Sequence, residues 1–338
     1  MRKLLIPMLL LAGATVLPAA KNLEVYCIDV EGGKATLWIT PSGESMLVDT
    51  GYAGFNRRDA DRILAVAKHA GVRKIDYLLI THYHADHVGG VPQLAEKIPI
   101  RNFVDHGASS ESGQDEDVLF RAYSAFRDKG NHILAKVGET LPSKGMEVKF
   151  VSSDGNLLGA PLPGAGQPNA DCAGFQKPAP ESEQPENEHS VGTLITFGNL
   201  RFLDMGDLTA DKEYDLVCPV NKLGVVDVFM VSHHGTGWSD SRPFVRALRP
   251  QVAIMNNGPR KGGAPEVWQN IHDIPGLEDF WQLHFAIAGG KEHNSADTVI
   301  ANVDEICQGN WLELTARPDG SFVIYNSRNK YQREYKKR

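Results

Sequence analysis

Four side chains of metal-ligand type fall within six positions, His82-Tyr83-His84-Ala85-Asp86-His87, directly after the apolar run Tyr77-Leu78-Leu79-Ile80. That run reads as a buried strand, and the loops at strand ends are where α/β folds assemble their sites. A chain carrying this feature has to bring further ligands to the same strand end, which favours sheets whose loops converge along one edge. In an extended segment His82 and His84 project the same way and reach one metal ion. Asp86 and His87 lie beyond them and turn toward a second. A solvated histidine-rich loop is the alternative, but such a run arises by chance on the order of once in a thousand chains of this length.

Three later elements supply what a two-metal site needs. Asp207 follows the strand-like Arg201–Gly206, and a carboxylate there can bridge two cations. His233-His234-Gly235 follows the strand Val225–Val231, and His189 stands just before the strand Ser190–Phe197. Each lies near a strand end, so all can gather along one sheet edge. Taken singly, an ordinary hydrogen-bonded structural role is the alternative for each, and it has the most weight for His189.

The rest of the chain reads as two β-rich blocks with interleaved helices. Strands are predicted at Leu23–Val30, Ala35–Thr40, Met46–Asp49, Arg101–Asp105, Met146–Val151, Leu200–Asp204 and Val252–Met255. Helices are predicted over 57–70, 117–129, 243–248 and 266–274, and a hairpin at Trp311–Ala316 and Phe322–Tyr325 through Pro318-Asp319-Gly320. Residues 155–188 are rich in Gly, Pro, Ala and Glu without periodicity and predict a flexible insertion. Four cysteines, Cys27, Cys172, Cys218 and Cys307, allow up to two bridges or remain buried thiols.

Met1-Arg2-Lys3, an apolar stretch to Leu17 and Pro18-Ala19-Ala20 predict a signal peptide over 1–20 and an exported protein, periplasmic or secreted, in which 21–338 form the mature domain. No later run has the apolar length of a transmembrane segment. The net charge of −7 disfavours nucleic acid as a partner except through a local basic groove.

His82–His87 form an HxHxDH motif and Gly206-Asp207 a GD motif, and Asp29-Val30-Glu31-Gly32-Gly33-Lys34, Leu47-Val48-Asp49-Thr50-Gly51 and His233-His234-Gly235-Thr236 accompany them. On these residues the chain resembles the metallo-β-lactamase-fold hydrolases, from about Leu23 to Met255, leaving a C-terminal extension after about 256. It is most similar to the branch containing the extracytoplasmic domain of DNA-uptake competence proteins, whose usual DVGQGD pattern ends here in Lys34 instead of an acid. The resemblance implies an α/β, four-layer αββα sandwich with metals at the edge between its sheets. It implies His82, His84 and His189 on a first ion and Asp86, His87 and one of His233 and His234 on a second, with Asp207 bridging. His233 is preferred as the ligand because it comes first after the strand, and His234 then contacts substrate. The branch often carries Asn and Ser near the third position, as Asn187 and Ser190 do here.

Asp49 is expected to orient a ligand histidine, and His106 and His293 to line the pocket. The implied cofactor is two Zn, with Mn or Fe also compatible with ligands that are all N and O. The implied reaction is hydrolysis of a phosphodiester or related ester by a metal-bound hydroxide, with Asp86 orienting the nucleophile and His234 donating a proton. The alternatives are a β-lactamase- or lactonase-type hydrolase, and a non-hydrolytic di-iron or metal-binding protein.

Overall fold

The computed structural model describes residues 22–111, 114–181 and 184–338. The segment read as a signal peptide, 1–20, lies outside the described residues.

The chain lays down its strands in an order that explains where its loops meet. The first six build one sheet: β1 (Leu23–Cys27), β2 (Thr36–Ile39), β3 (Ser45–Val48), β4 (Ile75–Leu79), β5 (Ile100–Asp105) and β6 (Asn131–Leu134). The next nine build a second: β7 (Thr140–Leu141), β8 (Glu147–Ser153), β9 (Asn156–Leu157), β10 (Gly192–Phe197), β11 (Leu200–Asp204), β12 (Val228–Met230), β13 (Val252–Met255), β14 (Asp279–His284) and β15 (Ile300–Asn302). The chain then returns to the first sheet with β16 (Leu312–Ala316), β17 (Phe322–Asn326) and β18 (Gln332–Tyr335), β16 pairing antiparallel with β1. Each sheet joins an antiparallel half to a parallel half, β3–β6 in the first and β11–β15 in the second.

Alternation along the strands divides the apolar side chains into three layers of core. Val25, Trp38, Met46 and Leu79 meet Phe150, Phe202, Met230 and Ile254 between the sheets. The residues between them in sequence point the other way. Leu37, Leu47, Leu78 and Phe103 pack under α1 (Arg58–His69), which presents Ala60, Ile63 and Ala67 at helical spacing. Two short helices, α2 (Ala85–Val88) and α3 (Val91–Ala95), and α4 (Gln114–Arg127) complete that outer layer. On the far side Leu203, Phe229 and Ala253 pack against α5 (Ala210–Val217), α6 (Arg242–Leu248) and α7 (Pro265–His272). The result is an αββα sandwich. Among the described residues no helix is long and apolar enough to cross a membrane.

The extension after 256 is built into both sheets, β14 and β15 extending the second and β16–β18 the first. One expectation needs correction. The loop read as flexible is held along much of its length. Leu162, Gly166 and Asn169 donate backbone hydrogen bonds to the Lys222, Asn221 and Pro219 carbonyls. A disulfide joins Cys172 to Cys218, leaving Cys27 and Cys307 as free thiols. Composition hid these anchors because they are long-range. The bridge spans a sequence separation of 46 residues, for which chain entropy gives about 4 kcal/mol. The Cys172→Ala, Cys218→Ala variant is expected to lose roughly 2–4 kcal/mol, read from its urea midpoint; an unchanged midpoint contradicts this.

Candidate metal centre

Asp49 begins the site. It stands just past β3 in the left-handed region, φ 60°, which Asp tolerates better than most residues. From there its carboxylate accepts from Thr81 N–H and Thr81 Oγ1, each at 2.8 Å, and from His87 Nδ1–H at 2.8 Å. The loop after β4 is thereby tied to the loop after β3, and the His87 ring is turned so that Nε2 faces inward. Gly33 lets the β1–β2 turn lie against α2: a Cβ there would stand 2.5 Å from the Asp86 carbonyl oxygen. Gly206 takes φ 60° between the Thr81 and Ser190 side chains, and so brings Asp207 to the same point.

Four buried residues converge: the ligand atoms of Asp86, His87, Asp207 and His234 all lie within 4.8 Å of one another. Asp207 Oδ2 is 3.2 Å from His87 Nε2, 3.3 Å from His234 Nε2 and 3.5 Å from His233 Nε2. Asp86 Oδ2 is 3.2 Å from His87 Nε2 and 3.0 Å from His234 Nε2. His82 and His84 face each other at 3.0 Å beside this group, with His82 Nε2 4.0 Å from Asp207 Oδ2. His84 Nε2 lies 3.4 Å from Glu111.

The donor set fits a cation. The Asn256 carbonyl can only accept, so His234 Nδ1 gives it its proton at 3.0 Å, as His87 Nδ1 does to Asp49. The two Nε2 atoms then face each other at 3.1 Å between two carboxylates. Two lone pairs held that close require something positive between them, a proton or a metal ion. Burial opposes charge on His87, but Asp207, Asp86 and Asp49 overcome it and hold the imidazole well above its usual range. Burial likewise opposes ionisation of Asp86 and Asp207, yet the surrounding histidines hold both well below the carboxylate range. Burial pushes His82 well down, and His233 down to about 4, so both present neutral rings at neutral pH.

A cation entering here displaces the His87 proton. Filling the cluster at pH 7 is therefore expected to release about one proton per chain, measurable by calorimetry in buffers of different ionisation enthalpy. The sign for stability follows from the raised pKa: the contribution is complete below the unfolded value of 6.5 and is lost as pH rises through the higher folded value. Cation-free protein should thus weaken on the alkaline side.

The structure departs from the sequence reading at His189, His233 and His293. His234, not His233, joins the cluster. Both residues occupy left-handed backbone, φ 46° and 55°, and this tight reversal swings the second ring onto Asp86 and His87. His189 turns away, its Nδ1 3.0 Å from Asp154 and its ring 5.7 Å from that of His106. His106 is held against Glu186 at 2.7 Å, and His293 packs edge-on against Trp268. Ser190, rather than binding an ion, accepts the Asp207 N–H at 3.2 Å.

Two lysines reach the site from outside the expected ligand set. Lys34 forms a buried ion pair with Asp204, at the position where the sequence shows only an acid exchanged for a base. Lys261 pairs with Asp86 from the Gly258–Gly263 turn, a region that no motif marks. Lys261 also lines a cleft of about 430 Å³ with Tyr52, Phe55, Arg58, Arg260 and Cys307.

Comparison with known proteins finds distant relatives. ComE operon protein 3 of Bacillus subtilis is 24% identical over 249 residues, covering 70% of this chain and 28% of that protein. Recombination protein 2 of Haemophilus influenzae is 25% identical over 236 residues, covering 70% and 24%. The chain therefore spans about a quarter of the length of these curated relatives. The metallo-beta-lactamase fold protein YhfI from Bacillus subtilis superposes with a TM-score of 0.44 at 12% identity, over 77% of this chain and 95% of that one. The family model of the Metallo-beta-lactamase superfamily matches residues 30–250, and the chain belongs to that superfamily.

Proposed function

We propose that the chain is an exported, metal-dependent hydrolase of phosphodiester or related ester bonds, acting at the Asp86–His87–Asp207–His234 cluster. The observation that carries this reading is the convergence of four imidazoles, from His82, His87, His233 and His234, on the single oxygen Asp207 Oδ2, at 3.2–4.0 Å. In this reading Asp86, His87, Asp207 and His234 would hold a divalent cation, and His82 and His84 beside them would serve a second. Zinc suits the N and O donors, with manganese and iron also compatible. When bound, such cations lower the pKa of a water to about 7 and neutralise charge that develops in the transition state.

The protein's own groups do the rest. Asp49 and the Asn256 carbonyl fix the two ring orientations. The neutral His233 ring stands beside Asp207, placed to hydrogen-bond a substrate or leaving-group oxygen. Lys261 sits between Asp86 and the cleft, where its ammonium holds an anionic oxygen of the substrate. Trp238, 52% exposed just beyond the His233–His234 turn, offers a flat apolar face. Export is supported by the basic-then-apolar start of the sequence and by the Cys172–Cys218 bond.

The test is a metal-loaded panel of bis-p-nitrophenyl phosphate, p-nitrophenyl-phosphorylcholine, single-stranded DNA and a chromogenic cephalosporin, with Asp207→Ala as control. Turnover of a phosphodiester that the substitution abolishes is the expected result. Turnover of the cephalosporin alone overturns the proposal.

A further inference from the structure

A second set of ligand-type side chains stands apart from the cluster. His106 follows β5, Asp154 lies in the β8–β9 turn and His189 ends the short 3-10 turn Pro185–His189. Their ligand atoms lie within 4.8 Å of one another. His106 is 2% exposed and commits its Nε2–H to Glu186 Oε1 at 2.7 Å. Its Nδ1 is then a bare acceptor, buried and without a hydrogen-bond partner among the described residues. An acceptor left unpaired in the interior loses its hydration without compensation, and a cation would restore it. Beside it, His189 Nδ1 and Asp154 Oδ1 are 3.0 Å apart, a spacing that two ligands of one tetrahedral ion adopt. Lys212, which reaches the neighbouring Gly155 carbonyl, is engaged by Glu188 at 3.2 Å.

We propose that His106, Asp154 and His189 bind one divalent transition cation of the zinc type, separate from the Asp86 cluster. Two imidazoles and a carboxylate make a borderline donor set that such ions favour, with water in the remaining position. The comparable group Asp29–His284–Cys307 is a poorer candidate, because Arg62 already pairs with Asp29 at 2.8 Å and supplies the positive charge.

The site has a line to the main centre. Glu186 Oε1, which accepts from His106, also accepts the Tyr83 N–H at 3.2 Å, the peptide between His82 and His84. A cation on His106 Nδ1 makes its Nε2–H a stronger donor, which tightens Glu186 and steadies that loop. The ion is therefore structural, propping the histidine loop from behind. This inference does not depend on the hydrolase reading.

The test uses Zn2+ alone, counted per chain after equilibrium dialysis of the full chain at fixed free Zn2+. Asp154→Asn and His189→Ala are each expected to remove one equivalent, with circular dichroism unchanged because both side chains are partly exposed. Asp207→Ala should remove different zinc, so the Asp154→Asn, Asp207→Ala double variant loses the sum. Wild-type zinc content in Asp154→Asn and His189→Ala overturns the proposal. So does a double variant that loses no more than Asp207→Ala alone, which would leave Asp154 no zinc separate from the main cluster.

Discussion

Asp207→Ala is expected to weaken Zn2+ binding at the cluster and phosphodiester turnover by well over ~100-fold, the upper end for loss of an outer partner of a metal ligand. Asp207 Oδ2 is the atom on which His87, His234 and His233 all close to within 3.5 Å. No neighbour can replace it, since Asp86 is already committed to His87, His234 and Lys261. The loss should therefore appear in both affinity and kcat. Isothermal titration and steady-state kinetics read the two separately. Turnover within tenfold of wild type would remove Asp207 from the centre.

The second large effect separates two adjacent histidines. His234→Ala is expected to weaken cation binding by more than ~100-fold, because it deletes an imidazole whose Nδ1 is already fixed by Asn256 and whose Nε2 faces His87 at 3.1 Å. His233→Ala should leave cation affinity within about tenfold and instead lower kcat by roughly 10²-fold or more, the range for loss of a positioned hydrogen-bond or proton donor. Burial keeps that ring neutral down to about pH 4, so its contribution should not titrate between pH 5 and 8. The reverse pattern, affinity lost with His233 and kept with His234, would contradict the arrangement.

Much of this was legible because the signals were local. Tyr77–Ile80 followed by HxHxDH gave both a strand and its site, and β13 is the Val252–Met255 expected from its apolar run. The strand pattern around Pro318-Asp319-Gly320 likewise gave a hairpin, β16–β17. Other features depend on partners distant in sequence. β14, Asp279–His284, holds Gln and His among its apolar residues, yet it is almost wholly buried by its place beside β13. The His233 and His234 preference turned on two left-handed residues, which neither ring's position in the sequence reveals. His189 was drawn elsewhere by Asp154, 35 residues earlier. Lys261 was unmarked, and Lys34 stood out only as a departure from a pattern, because a lysine reads as surface until its carboxylate, Asp86 or Asp204, is placed beside it.

The most direct measurement is bis-p-nitrophenyl phosphate turnover by the full chain, stripped with chelator and then titrated with Zn2+. The account predicts no turnover in stripped protein, recovery on adding Zn2+, and no recovery in Asp207→Ala or His234→Ala. Turnover that survives chelation, or that returns equally in those two variants, would contradict a metal-dependent hydrolase centred on Asp86, His87, Asp207 and His234.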